Sequence, residues 1–155
     1  MSARNDTAGV IAPPPLMYLG TLAIALFLNW ARPLPITPDA ITRWPGGAIA
    51  VAGLVLAIRG RRTMTEAGTN VNPYKPTITI VDSGPFGFSR NPLYVAMTII
   101  LTGLTLAANT WWGIILALPL LLVMHFGVIR REERYLEAKF GEPYLAYRRR
   151  VRRYL

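Results

Sequence analysis

Cysteine is absent from the 155 residues, which excludes a disulfide framework, a thiolate metal site and a cysteine nucleophile together. Histidine occurs once, at His125, so a His-rich metal site or a Ser-His-Asp triad has no other imidazole to use, and no metal is expected. Charge is scarce, at 16% of residues against about 25% in a soluble domain. What charge there is leans one way: 17 Lys and Arg oppose 8 Asp and Glu, a net +9. Repeats and low-complexity tracts are missing too. The length suits one domain. With 52% apolar residues, an ordinary cytosolic globule is excluded.

What remains is apolar and long. Four segments match a hydrocarbon core that takes about 17–25 helical residues: 13–30, 44–58, 92–108 and 111–129. The second is short and rich in small residues, Gly46, Gly47, Ala50 and Gly53, which let helix backbones approach closely in lipid. Pro119 sits mid-way in the fourth and predicts a kink. The expected fold is all-α, a single polytopic membrane domain over 1–155 with four transmembrane helices.

Basic residues set the orientation. The N-terminus with Arg4, the segment 59–91 and the tail 130–155 fall on one side and hold fifteen of the seventeen Lys and Arg. The opposite loops hold Arg32 and Arg43. Basic loops stay cytosolic, so both termini are expected inside, at the inner membrane if the source is bacterial. Trp30, Trp44, Trp111 and Trp112 then form a belt at the outer interface. The first apolar run is too long for a cleavable signal and lacks a small-residue cleavage site after it. The positive excess implies anionic headgroups as partner rather than nucleic acid.

In the tail, residues 130–140 read as a continuation of the fourth helix, stopped by Gly141 at its C-cap. Glu142-Pro143 opens another short helix. Tyr144, Tyr147, Val151 and Tyr154 make one stripe at helical spacing, with Arg148, Arg149, Arg150, Arg152 and Arg153 around it. This predicts an amphipathic cytosolic helix lying in the headgroup region.

Polar residues that an anchor does not need gather in 69–94 and in Arg130-Arg131-Glu132-Glu133. Both lie on the cytosolic side and can meet. Asn91 before Pro92 is an N-cap signal followed by proline in the first turn. The free N–H groups of that helix start, with Ser89 and Arg90 beside it, also suit an anion. Gly84 and Gly87 allow a tight turn ahead of them. Glu132 and Glu133 point about 100° apart on a helix, so at most one faces a given pocket. That pair reads either as a salt-bridged helix exit or as a carboxylate for ribose hydroxyls or a cation. His125 reads as an interhelical hydrogen-bond partner rather than a reactive group.

The run Gly84-Pro85-Phe86, then Arg90-Asn91-Pro92-Leu93-Tyr94, then Glu132-Glu133 and Phe140-Gly141-Glu142-Pro143-Tyr144 resembles the isoprenylcysteine carboxyl methyltransferase family. The related membrane phospholipid N-methyltransferases have a similar core. The resemblance covers about residue 69 to the C-terminus. It implies a methyltransferase that uses S-adenosylmethionine on a lipophilic acceptor. The family's His-Pro-x-Tyr falls on Asn91, Pro92, Leu93 and Tyr94, with Arg90 before it. Its loop aromatic falls on Phe86, its strand-like stretch on 78–81 with Ile78 and Val81 at the ends, and its acidic partner on Glu132 or Glu133, Glu132 being favoured. Asn91 replaces a histidine, which keeps hydrogen bonding and removes titration. Arg130 and Arg131 are candidates for positioning substrate by proximity alone. Two rival readings are a sterol-type reductase, its NADPH phosphates gripped by the tail arginines, and a non-enzymatic membrane scaffold. The acceptor is left open among prenylcysteine carboxylate, phospholipid amine, isoprenoid and small hydrophobic amine or thiol.

Overall fold

A computed structural model describes residues 7–155; Arg4, counted above with the cytosolic charges, lies outside the described residues. The described chain is all-α: α1 Pro14–Ala31, α2 Arg43–Glu66, a 3-10 turn Gly84–Gly87, α3 Pro92–Ala107, α4 Trp111–Met124, a π turn His125–Ile129, α5 Arg130–Phe140 and α6 Glu142–Arg150. Helices α1 and α3 begin on proline, whose fixed φ suits a first turn and whose missing N–H costs nothing there. Helix α4 is capped by Thr110, whose hydroxyl accepts from Trp112 N.

Helices α2 and α3 pack backbone to backbone. A Cβ on Gly46 would come within 2.3 Å of Ala107 N, and one on Gly103 within 2.4 Å of Ala50 N. Small residues here are thus a steric requirement, as in helix pairs that cannot rely on water to press them together. Helix α1 packs on α3 and α4 through Tyr18, Leu101, Leu120, Met124 and Val128. Tyr18 also shares a 2.8 Å hydrogen bond with Thr98 Oγ1. Large apolar side chains, among them Leu19, Phe27, Val51, Leu118 and Leu122, face outward.

Two helices are long and apolar enough to cross a membrane: α1 and the continuous rod Trp111–Phe140, whose apolar part ends at Ile129. Helix α3 is a shorter apolar helix. Helix α2 has the length, but its last turns carry Arg59, Arg61 and Arg62. It runs beyond the expected end at Ile58 to Glu66, because charge does not stop a helix; the backbone turns only at Gly68, with φ +70°. The rod stays α-helical through Pro119 and departs from that geometry at His125–Ile129.

At the tryptophan-rich end, Asn109 ties the loop after α1 to the α3–α4 turn. Its Oδ1 accepts from Ile36 N and Thr37 N at 3.1 and 3.0 Å, and its Nδ2 donates to Thr37 O at 2.7 Å. Its own φ of +51° is one that asparagine tolerates better than most residues. Trp112 Nε1 donates to Arg32 O.

Candidate functional site

The opposite end is built by the segment between α2 and α3, the start of α3, α5 and the tail. Thr69 is buried and accepts from Ile78 N through its hydroxyl, while Asn70 Nδ2 donates to Pro76 O. This folds 69–78 into a tied loop. The stretch read as strand-like, 78–81, forms no strand; among the described residues no neighbouring strand offers it a ladder. Gly84, with φ +54°, sits against Thr63 and opens the 3-10 turn that buries Phe86.

The tail corrects the sequence reading. Tyr144, Tyr147 and Val151 are buried against Ile80, Leu136 and Phe140, so their stripe packs on protein rather than on lipid. Helical periodicity shows which face is buried and not what covers it. Tyr147 donates its hydroxyl hydrogen bond to Phe86 O at 2.8 Å, and Arg90 N donates to Arg152 O at 2.9 Å. Asn91 heads α3, but its side chain does not cap the helix. It donates instead to Arg153 O at 3.0 Å, while Ser89 Oγ accepts from Asn91 N. Sequence spacing located the helix start correctly and missed this competing partner for the amide.

These elements enclose a cavity of about 130 Å³. On its wall stand Val81, Phe86, Arg90, Asn91, Pro92, Leu93, Tyr94, Glu132 and Glu133. Ile78 is 63% exposed and off the wall. Arg130 and Arg131 are also elsewhere: Arg130 lies over the Phe126 ring at 5.6 Å, and Arg131 Nη1 donates to Gly9 O. His125 Nδ1 pairs with Tyr154 OH at 2.5 Å, away from the cavity. Wall residues that the sequence did not assign to the site include Met64, Thr69, Leu136, Tyr144 and Tyr147. The tyrosine spacing was visible, but nothing local says that it meets the 80s loop.

Charges on the wall are arranged unequally. Glu133 accepts from Arg90 Nη2 at 2.7 Å and from Arg153 Nη2 at 2.8 Å. Burial alone would raise its pKa, but the Arg153 hydrogen bonds and the two guanidinium charges hold it below the ordinary carboxylate value. Glu132 accepts from Tyr94 OH at 2.7 Å. Burial pushes its pKa up to about 7; the Tyr94 hydrogen bond opposes that rise and the Glu133 charge adds to it. Arg90 donates through Nη1 to Arg148 O, yet its Nε is buried with no hydrogen-bond partner among the described residues. A buried donor in that state costs about 1–3 kcal/mol.

The sequence profile of the family described as phospholipid methyltransferase matches residues 41–143. An uncharacterized protein of Haemophilus influenzae is 39% identical over 66 residues, which are 41% of this chain and 100% of that protein. No solved structure matches the chain. The family match takes in α2, α3, α4, α5 and both halves of the carboxylate-and-arginine wall, and by it the chain belongs to the phospholipid methyltransferase family.

Proposed function

We propose that the protein is an integral membrane methyltransferase that uses S-adenosylmethionine to methylate a lipophilic acceptor, a phospholipid amine first and an isoprenoid or prenylcysteine carboxylate second. Residues 1–155 act as one membrane domain with four spans, both termini cytosolic, and the cavity at the cytosolic surface. The observation that carries this reading is a cavity bounded by the start of α3 whose wall brings together Phe86, Arg90, Tyr94, Glu132 and Glu133.

The donor set fits the group. S-adenosylmethionine presents a carboxylate, an ammonium, a sulfonium and a flat adenine; when bound it supplies an electrophilic methyl. Arg90 brings a cation to the wall, its guanidinium held by Glu133 and by Arg148 O, and Glu132 suits a ribose hydroxyl or a cationic group. The Phe86 and Tyr94 rings give apolar faces for adenine or for a cationic sulfur. Asn91 braces the tail against the start of α3 through Arg153 O. Ile80, Val81 and Leu136 exclude water from the wall, and desolvation with alignment supplies much of the acceleration in a direct displacement. No covalent enzyme nucleophile is needed.

The reductase reading would take its phosphate grip from five tail arginines, four of which are already in ion pairs. Arg148 pairs with Glu137, Arg149 with Glu142, Arg150 with Asp82 and Arg153 with Glu133. Calorimetric titration of the detergent-solubilised protein with S-adenosylmethionine, its demethylated product and NADPH tests the assignment. The first two should bind and the third should not. Binding of NADPH alone favours the reductase, and binding of none favours a scaffold. Orientation is tested with single cysteines in intact cells and in inside-out membrane vesicles. A membrane-impermeant thiol reagent should reach Asp39→Cys in the cells and Lys75→Cys in the vesicles; the reverse pattern inverts the topology.

A further inference from the structure

The chain ahead of α1 is a strap across the bundle. Residues 8–11 form no helix, yet they lie against the rod that carries the carboxylate pair. Val10 is buried in the apolar cluster of Tyr18, Leu101, Leu120, Met124 and Val128. Ile11 N donates to Gly127 O at 3.4 Å, and Arg131 Nη1 donates to Gly9 O at 2.9 Å. Ile11 lies so close to Gly127 that a Cβ there would overlap its Cδ1. The rod departs from α geometry at this contact, over His125–Ile129, and such π turns are frequent at functional sites. The strap also reaches the cavity: Ala8 stands on the wall with Tyr94 and Glu132. Ala8 and Tyr94 pack in turn against the cluster that holds Val10. The crevice under the strap therefore adjoins the cavity.

We propose that the crevice filled by Val10 and edged by Ile11 is the seat of the acceptor's hydrocarbon chain, which enters by displacing the strap. For the identity of the occupant, this rests on the methyltransferase reading above. A cavity of about 130 Å³ is too small for a nucleoside donor and a lipid chain together, since pockets for drug-sized ligands span about 300–1,000 Å³. The chain therefore needs room beside the cavity, and the crevice supplies it. Its lining is apolar, and it lies just ahead of α1, at the cytosolic edge of the bundle. Exchanging Val10 for a hydrocarbon chain keeps the cluster dry, because one apolar occupant replaces another. The strap is lightly held. Of its two hydrogen bonds to the rod, the one from Ile11 N exceeds the usual range of about 2.7–3.2 Å. When product leaves, the strap returns and closes the crevice against water.

The test locks the strap in place. A Cβ on Gly127 would lie 2.9 Å from Ile11 Cγ1 and 3.7 Å from its Cγ2, which sets the two Cβ positions within the about 3.5–4.5 Å that a disulfide spans. The full chain carrying Ile11→Cys and Gly127→Cys, otherwise free of thiols, is placed in lipid nanodiscs and compared oxidised and reduced. The probe is a phosphatidylethanolamine with a photoactivatable group on its acyl chain. Three quantities are read: affinity for S-adenosylmethionine, photoadducts located by mass spectrometry, and single-turnover methylation of the probe. Reduced protein should carry adducts at Leu101, Leu120 or Met124. Oxidation should cut these adducts and the methylation rate about tenfold or more, since the chain-accepting population is removed. Donor affinity and adducts at the outward-facing Leu118 and Leu122 should not change. Val10→Ala, which loosens the strap without a new bond, should raise crevice adducts about threefold. Crevice adducts absent from reduced protein, or equal in the two states, overturn the proposal. So does a methylation rate that oxidation leaves untouched, which would make the crevice a seat for bulk lipid. Adducts unmoved in Val10→Ala contradict it as well. Protein that binds no S-adenosylmethionine in either state sinks the methyltransferase reading itself; protein that binds it and methylates equally in both states sinks this inference alone. Protein that binds it and methylates no phospholipid moves the acceptor to another class, and the adducts still decide the crevice.

Discussion

The two ends of the helix bundle both bury polar groups, and they dispose of them differently. At the tryptophan-rich end Asn109 spends its oxygen on Ile36 N, Thr37 N and Thr42 Oγ1, and its nitrogen on Thr37 O. At the arginine-rich end, among the described residues, Arg90 keeps an unmatched Nε, and Glu132 on the cavity wall is bonded to Tyr94 and to no cation. The first arrangement closes a loop. The second leaves a buried donor unmatched and a carboxyl with a raised pKa on a cavity wall, the kind of polar group that marks a candidate site. Polar content alone therefore does not mark a site; unspent polar content does.

The comparison can be broken most severely at Glu133. Glu133→Gln removes the anion shared by Arg90 and Arg153, whose side chains are 8% and 33% exposed. Leaving a buried charge unpaired should cost about 3–5 kcal/mol, read by denaturant unfolding in detergent, and donor binding should fall with it. A loss below about 1 kcal/mol would mean that the pair behaves as a surface bridge. Asn109→Ala at the other end should cost less, about 1–3 kcal/mol from orphaned donors, with extra strain from the positive φ. Its donor affinity should match the parent's. A drop in that affinity would erase the distinction between the ends.

A pH scan sharpens the contrast within the site. The folded pKa of Glu132 is raised to about 7, so between the ordinary carboxylate value and neutrality the folded state holds a proton that the unfolded chain has lost. Stability from this group is full below that window and declines as pH rises through it. Glu133, whose folded pKa is lowered, contributes stability above the ordinary carboxylate value and loses it as pH falls. Thermal unfolding of Glu132→Gln should show a flatter decline toward neutrality than the parent; an unchanged slope would place the raised group elsewhere. The smallest effect belongs to Arg149→Ala. Its bridge to Glu142 is 64% and 69% exposed, and removal should change stability by less than about 0.5 kcal/mol. A larger loss would show that α6 relies on its outer face.

Much of this architecture could be read from sequence because its signals are local. Pro92 after Asn91 and Gly141 before Glu142-Pro143 mark α3, α5 and α6 within a residue of their ends. The end of α2 was not legible, since Arg59 to Arg62 resemble a membrane exit while the backbone continues to Glu66. Nine of the proposed site residues share one cavity, because the two polar segments that hold them had nowhere else to meet. The division of labour between Glu132 and Glu133 was beyond reach. It depends on Arg153 returning from the tail, a tertiary contact that no spacing rule encodes.

The absence of cysteine makes the central claim directly measurable, by placing one thiol at each end. Thr79→Cys sits on the cavity wall, and Asp39→Cys is exposed in the loop near Asn109. Each protein, in detergent, is reacted with a thiol reagent with and without S-adenosylmethionine at about ten times its dissociation constant. Occupancy of the cavity should slow labelling of Thr79→Cys about tenfold and leave Asp39→Cys unchanged. Equal rates at Thr79→Cys with and without the donor, in protein that calorimetry shows to bind it, would put the donor site outside this cavity and contradict the account.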